Sequence, residues 1–537
     1  MRAVVIWLIL AGLVSSVALA RSPKDDDDEQ EPKMSPAASP RMYNFSDLSV
    51  DGELVAPAAA SFGATPGGAQ DIRFFRDRVA AGEIPHPNVF TAEGLFSEHD
   101  LPLNEQTAPC TQLLCVRGEA TAASFLTQPS VRTLAQIGFS SGLNPTTWKR
   151  APLNLVAVVD KSGSMAGQPL ETVKKSLSKV AELLSDQDQL AIVLYGDRSH
   201  VHLAPTKGSH KQRLFDAISS IESAGSTAME EGLRTGFELA RTTGKSFSGT
   251  TRVMLFTDER PNVGATDANS FMGMAETNSR AGIGMTTIGV GVQFGAELAT
   301  KISSVRGGNL FFFANVPQME TAFSEEFDTM VTELAWDLVF EVHPAPGMKI
   351  SGLYGLPGDL VEWTPNGGLK LVVSTIFLSR KKGAIYVAFE PATTDGLPRP
   401  SPVAGDRVGT VTLAYQEANG PLRSDRFELP WVSPNQASVG LRRGVALINQ
   451  ALATRESARL HHEQNDQENA WRMVRDVLAV LKQTGDAELD NEVLLVSQLE
   501  TTLALLSGHK GEGSAGQTSS TTRPPAVIDR HTGLPVR

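Results

Sequence analysis

The chain has 537 residues, 41% of them hydrophobic and 20% charged, and a formal net charge of −12. A length of this order holds roughly two to four domains with sizeable cores. The acidic balance, with no domain-sized excess of Lys or Arg, excludes a general nucleic-acid binder.

Arg2 precedes the apolar run "VVIWLILAGLVSSVALA", which ends in Ala-Leu-Ala before Arg21. A positive start, an apolar stretch and small residues at its end read as a secretory signal peptide over residues 1–20, cut after Ala20. An uncleaved membrane anchor is the alternative. The mature protein is expected to be exported, to a periplasm, a cell surface or the medium. Residues 21–41, with the acidic run Asp25–Asp28 and several Pro and Ser, read as a solvated linker.

Residues 42–150 form a mixed region. "DIRFFRDRVAAGEIP" reads as a short amphipathic helix with Ile72, Phe75 and Val79 on one face and Gly82 near its end. "ATAASFLT" and "VRTLAQIGF" read as strands. Cys110 and Cys115, the two cysteines of the sequence, lie in "PCTQLLC". In an oxidising compartment they are expected to pair, and no second Cys or His pair stands at zinc-ligand spacing.

From 151 to 335 apolar strands ("NLVAVVD", "LAIVLYG", "TRVMLFTD", "MTTIGVGV", "NLFFFA") alternate with helical patterns such as Leu170, Val173, Leu177, Val180 and Leu184. Short, wholly apolar strands between amphipathic helices predict an α/β fold, a doubly wound and mostly parallel sheet covered on both faces. Ligands of such sheets bind beyond the carboxyl ends of the strands. After Trp336, residues 336–432 carry β-type runs between Gly and Pro turns and predict a sandwich-like region. It pairs with the upstream strands if each set supplies the partners the other lacks. Residues 433–507 return to helical periodicity, and the Gly/Ser/Thr/Pro-rich tail 508–537 reads as disordered.

Three loops of the α/β segment carry the chemistry. Asp160-Lys161-Ser162-Gly163-Ser164 follows the first strand; "AGSTAMEEGL" sets Thr227 just before a helix; "MLFTDERPNVG" sets Asp258 at the end of another strand. Together they resemble the metal-ion-dependent adhesion site (MIDAS) of the von Willebrand factor type A domain, a resemblance that covers residues 150–335. The flanking segments "DIRFFRDRVAAGEIPHPNVF" and "PNVGATD" resemble, more weakly, exported bacterial members with extra segments around this domain. The resemblance implies that Ser162, Ser164 and Thr227 coordinate a divalent cation directly. Asp160 and Asp258 would then act through water or hydrogen bonds, and a protein partner would present a Glu or Asp carboxylate to the metal.

The donor chemistry agrees with that implication. Carboxylates and hydroxyls are hard oxygen ligands that suit Mg²⁺, and also Mn²⁺ or Ca²⁺. The competing reading makes Asp160 a turn cap and lets the serines satisfy loop backbone groups. It accounts for one loop but not for Thr227 and Asp258. Lys161 reads as a solvated lysine beside the cup. Glu259, where many relatives have Gly, adds negative charge to its rim.

Rival motifs are weaker. "GFSSG" (Gly138–Gly142) matches the nucleophile elbow of hydrolases, yet the two prolines that follow, with no helical pattern, deny it the strand–turn–helix context. A metal-assisted hydrolase needs a base; His200, His202 and His210 fall on what reads as an edge strand and loop, as surface histidines. His461 and His462 are adjacent, so they share no helical face, and they read as part of a polar segment between helices. The expected function is a non-enzymatic, divalent-metal-dependent protein-binding module of adhesion or assembly. A structural scaffold, in which the metal only steadies the loops, is the alternative.

Overall fold

The computed structural model describes residues 62–66, 72–104, 110–259, 270–290, 301, 304–313, 316–356, 361–394, 397–398, 402–418 and 420–509, all within the compact unit Pro57–Arg537. The signal peptide, the acidic linker, the tail from 510 onward and the "PNVGATD" segment lie outside the described residues.

In chain order the elements are β1 (Gly63–Pro66), α1 (Arg73–Ala80), α2 (Ala92–Ser97), β2 (Cys115–Ala122), β3 (Thr133–Ser140) and β4 (Leu153–Asp160). Then come α3 (Gln168–Leu183), β5 (Gln189–Tyr195), β6 (Ser199–Lys207), α4 (Lys211–Ser219), α5 (Met229–Gly244), β7 (Thr250–Thr257) and α6 (Phe271–Arg280). They are followed by β8 (Ile283–Val290), β9 (Gly308–Phe313), α7 (Val316–Met330), β10 (Glu333–Pro344), β11 (Met348–Tyr354), β12 (Val361–Trp363), β13 (Leu369–Ser379) and β14 (Ala384–Pro391). The short pair β15 (Thr393–Thr394) and β16 (Leu397–Pro398) precedes β17 (Arg407–Glu417), β18 (Leu422–Pro430), α8 (Val439–Gln464), α9 (Gln467–Thr484) and α10 (Asp490–Ser507).

The α/β expectation holds. One sheet runs β6-β5-β4-β7-β8-β9, parallel except for the edge strand β6. Successive side chains of a strand point to opposite faces. Leu155, Ala157 and Val159 of β4 accordingly share a core with α3, α4 and α7 (Val173, Leu177, Leu214, Phe323). Val156 and Val158 share the opposite core with α5 and α6 (Leu233, Phe237, Met272). Both faces are covered, which is why the strand reads as an apolar run from Leu155 to Val159.

The strands before and after this segment form one antiparallel sheet. β1 bridges its halves: it pairs with β13 along its length and with β3 at Gly63↔Ser140. β3 also pairs with β14 and β2, while β13, β10, β17 and β18 continue the other arm. The arms enclose a common core that includes Ile137, Phe139, Phe340, Leu371, Val387 and Leu413. Ala120 bridges to Trp431 across them. The described strands of the two expected regions, 42–150 and 336–432, therefore belong to one sheet. Cys110 and Cys115 form a disulfide at the start of β2.

The outer face of β3 and β14 (Leu134, Tyr386, Ala388) packs against α1, α2 and the three C-terminal helices. Ile72, Phe75 and Val79 are buried there, as the helical reading of α1 required. "ATAASFLT" departs from expectation, since strand ends at Ala122. Beyond it, Asn449 of α8 donates to Ser124 O (3.0 Å) and accepts from Leu126 N (3.0 Å), replacing a strand partner. His461 and His462 also differ from expectation, because α8 continues to Gln464 and holds both in its last turn. His462 Nε2 lies 2.8 Å from Ile84 O and His461 Nδ1 lies 2.6 Å from Gln467 Oε1.

A buried guanidinium joins the two sheets. Arg252, at the start of β7, donates to Thr286 Oγ1 (2.8 Å) and Gly307 O (3.0 Å) and pairs with Glu333 of β10. Its Cζ sits 5.2 Å from the Phe377 ring centroid.

Candidate metal centre

Asp160 ends β4, between Tyr195 at the end of β5 and Thr257 at the end of β7. Its carboxylate is fully buried, a costly position without donors. Three donors supply the need. Ser162 N donates to Oδ1 (2.8 Å), and Tyr195 Oη (3.2 Å) and Thr257 Oγ1 (3.1 Å) donate to Oδ2. Burial, then the charge of Asp160, pushes the Tyr195 phenol well above its ordinary value, so it remains a donor.

The hydroxyls form a directed chain. Ser164 Oγ donates to Asp258 Oδ1 (3.0 Å), and Ser162 Oγ lies 3.0 Å from Ser164 Oγ. A hydroxyl has one proton, so with Ser164 committed to Asp258, Ser162 must donate to Ser164. Burial raises the Asp258 carboxyl above its ordinary value; the Ser164 hydroxyl opposes this, and the charges of Asp160 and Glu259 add to it.

Thr227 arrives on a separate loop held against the first. Ala224 N donates to Lys161 O (2.6 Å), Gly163 N to Gly225 O (3.0 Å), and Ala228 N to Gly196 O (3.0 Å). Among the described residues the half-buried Thr227 has no hydrogen-bond partner for its hydroxyl. Lys161 is not free in solvent: its Nζ donates to Ala224 O (2.9 Å), tying the same two loops together. Glu259 is exposed at the rim, its backbone N–H held by Thr257 Oγ1 (3.0 Å).

The structure thus joins Asp160, Ser162, Ser164 and Asp258 at the carboxyl edge of the sheet and brings the Thr227 loop against them. The donors are hydroxyls and two like-charged carboxylates whose mutual repulsion a divalent cation would relieve, so the residues fit a hard cation. No three His, Cys, Asp or Glu side chains gather into a metal-binding group among the described residues.

The sequence reading missed Tyr195, Thr257 and Asp197. The first two were legible only as strand-end residues beside Asp160. Asp197 Oδ1 accepts from both Ser226 N and Ser226 Oγ (2.8 Å each), which hold the carboxyl below its ordinary range.

Rival motifs resolve differently. Ser140 is the last residue of β3, opposite Cys115, and Ser141 Oγ donates to Leu113 O (2.7 Å). No helix follows, since 141–152 is non-helical. His200 and His202 lie on edge strand β6, where His202 Nε2 is 2.9 Å from Ala217 O and 3.1 Å from Ser220 Oγ; His210 precedes α4.

Residues 154–325 match the family model of the von Willebrand factor type A domain. The chain contains a von Willebrand factor type A domain. Similar proteins include YfbK of Escherichia coli, 31% identical over 195 residues, 36% of this chain and 34% of that protein. Another is sll0103 of Synechocystis, 28% identical over 182 residues, 34% of this chain and 42% of that protein. The chain therefore matches less than half the length of these curated relatives. A solved von Willebrand factor type A structure from Catenulispora acidiphila is 15% identical, covering 75% of this chain and 88% of its own, with a TM-score of 0.43. Domains of this family serve in general as protein-interaction modules.

Proposed function

We propose that the A domain binds a protein partner through one divalent cation, Mg²⁺, held by Ser162, Ser164 and Thr227 with Asp160 and Asp258. The observation that carries this reading is the Ser162–Ser164–Asp258 chain beside the buried Asp160 carboxylate. A cation held largely by neutral oxygens stays electrophilic and accepts an Asp or Glu carboxylate from a partner. The chain's own residues do the rest. Tyr195 and Thr257 fix Asp160, Lys161 ties the loops, and the rim charge of Glu259 tunes which acidic partner is tolerated.

In this reading the site serves recognition; the His202 imidazole, on the edge strand β6, is engaged with Ala217 O and Ser220. The signal-like run at residues 4–20 supports an exported protein acting in adhesion or assembly. No helix among the described residues is long and apolar enough to cross a membrane.

A second reading, a scaffold whose metal only steadies the loops, draws on the pair between buried Arg252 and half-buried Glu333 that fixes the A domain to the antiparallel sheet. Affinity capture from envelope and secreted fractions separates the two. Under the first reading a partner is retained by the wild-type chain in Mg²⁺ and released by EDTA, and Asp160→Ala retains none. Equal capture in all three conditions would favour the scaffold.

A further inference from the structure

We infer that Asp197 is a positioning residue of the metal centre, holding the loop that presents Thr227. The inference rests on the reading of Thr227 as a ligand and names a residue outside the five-residue motif.

Thr227 sits in a stretch of no regular structure, 221–228, between α4 and α5. A hydroxyl on such a stretch is a useful ligand only if the backbone is fixed before the cation arrives. The stretch has two sets of anchors. Backbone bonds from Ala224 and Gly225 reach the Lys161–Gly163 loop, on the side before Thr227. On the other side Ala228 N reaches Gly196 O.

Asp197 supplies the side-chain anchor directly before the ligand. One oxygen, Oδ1, receives both the backbone N–H and the hydroxyl of Ser226, the residue directly before Thr227. The fit is close. Gly225 has φ +91°, and a Cβ there would stand 2.9 Å from Asp197 N and from Asp197 Oδ2. The turn that carries Asp197 is itself fixed, by Gly196 N to Arg198 O (3.3 Å) and by Lys161 N to Tyr195 O (2.9 Å). A path of direct bonds therefore runs from the strand ends that hold Asp160 to the amide beside Thr227. Outer partners of this kind orient ligands without touching the metal, and their loss typically costs 10–100-fold in affinity.

Asparagine tests geometry apart from charge. Its amide oxygen accepts the same two bonds but carries no charge. The experiment titrates Mn²⁺ into the chelator-treated full chain, counting free Mn²⁺ by electron paramagnetic resonance, for wild type, Asp197→Ala, Asp197→Asn and Thr227→Ala. Amide hydrogen exchange at residues 224–228 is followed on the metal-free proteins.

Asp197→Ala is expected to raise the Mn²⁺ Kd about ten-fold or more and to speed exchange at 224–228, with Asp197→Asn close to wild type in both. Thr227→Ala weakening binding while Asp197→Ala binds as wild type would overturn the inference and leave the metal site standing. Asp197→Asn losing as much as Asp197→Ala would also overturn it, since charge and not positioning would then be responsible. Thr227→Ala binding as wild type would overturn the ligand reading beneath it. Should Asp197→Ala fail to fold, Ser226→Ala removes only the side-chain bond and is expected to weaken Mn²⁺ binding by a smaller factor; unchanged binding there would count against the inference.

Discussion

Tyr195 donates its phenol proton to Asp160 across the β4–β5 pair, Oη to Oδ2 at 3.2 Å, with both side chains fully buried. Replacing Tyr195 by Phe keeps the ring and removes one of the three donors to a buried carboxylate. Hydrogen bonds to charged groups contribute about 1.5–3 kcal/mol, so Tyr195→Phe is expected to destabilise the metal-free chain by about 2 kcal/mol in urea unfolding. A loss below about 0.5 kcal/mol would mean that Ser162 and Thr257 suffice.

Helix α5 lies so close over that tyrosine that a Cβ on Gly232 would stand 2.5 Å from its ring. Gly232→Ala must shift the helix or the ring, and overpacking of this kind costs about 1–3 kcal/mol. A melting temperature at or above wild type would show that α5 has room to move.

At the other end of the sheet, the Arg252 guanidinium is buried and its pairing depends on Glu333. Removing one partner of a buried pair leaves a charge without compensation and costs about 3–5 kcal/mol. Glu333→Ala is expected to lose that much, and the double variant Arg252→Met/Glu333→Ala to recover most of it. Equal losses in single and double variants would assign the cost to packing rather than to charge.

Acid should loosen the helical layer at one carboxylate. Burial pushes Glu492 up, but the hydrogen bond from His99, the charges of Arg76 and His99 and the Gln450 amide outweigh it, taking the carboxyl from an ordinary 4.5 down to about 2. A depressed folded value makes the stabilisation present above about pH 4.5 and lost as pH falls towards 2, a contribution of about 3 kcal/mol. Denaturation midpoints between pH 6 and pH 3 should therefore fall more steeply for wild type than for Glu492→Gln; parallel curves would contradict the assignment.

The parallel sheet was legible because its strands are buried on both faces and carry long apolar runs, as in Leu155–Val159. The candidate ligands were legible because Asp160 and Asp258 are polar residues at the ends of such runs. Tyr195 was not, since a tyrosine ending "LAIVLY" reads equally well as core. Asp197 was hidden because its role lies in a bond to Ser226, 29 residues away, that only the folded loops create. The joining of the flanking regions into one sheet depends on the pairing of β1 with β13 and of β3 with β14, strands more than two hundred positions apart in sequence. Local pattern carries little trace of it.

The most direct test of the central claim is isothermal titration of Mg²⁺ into the chelator-treated full chain, wild type and Thr227→Ala, with circular dichroism to confirm that both are folded. One Mg²⁺ bound by wild type, and binding at least ten-fold weaker (about 1.4 kcal/mol) in Thr227→Ala, is the predicted result. Equal Mg²⁺ binding by both proteins, or none by wild type, would contradict it.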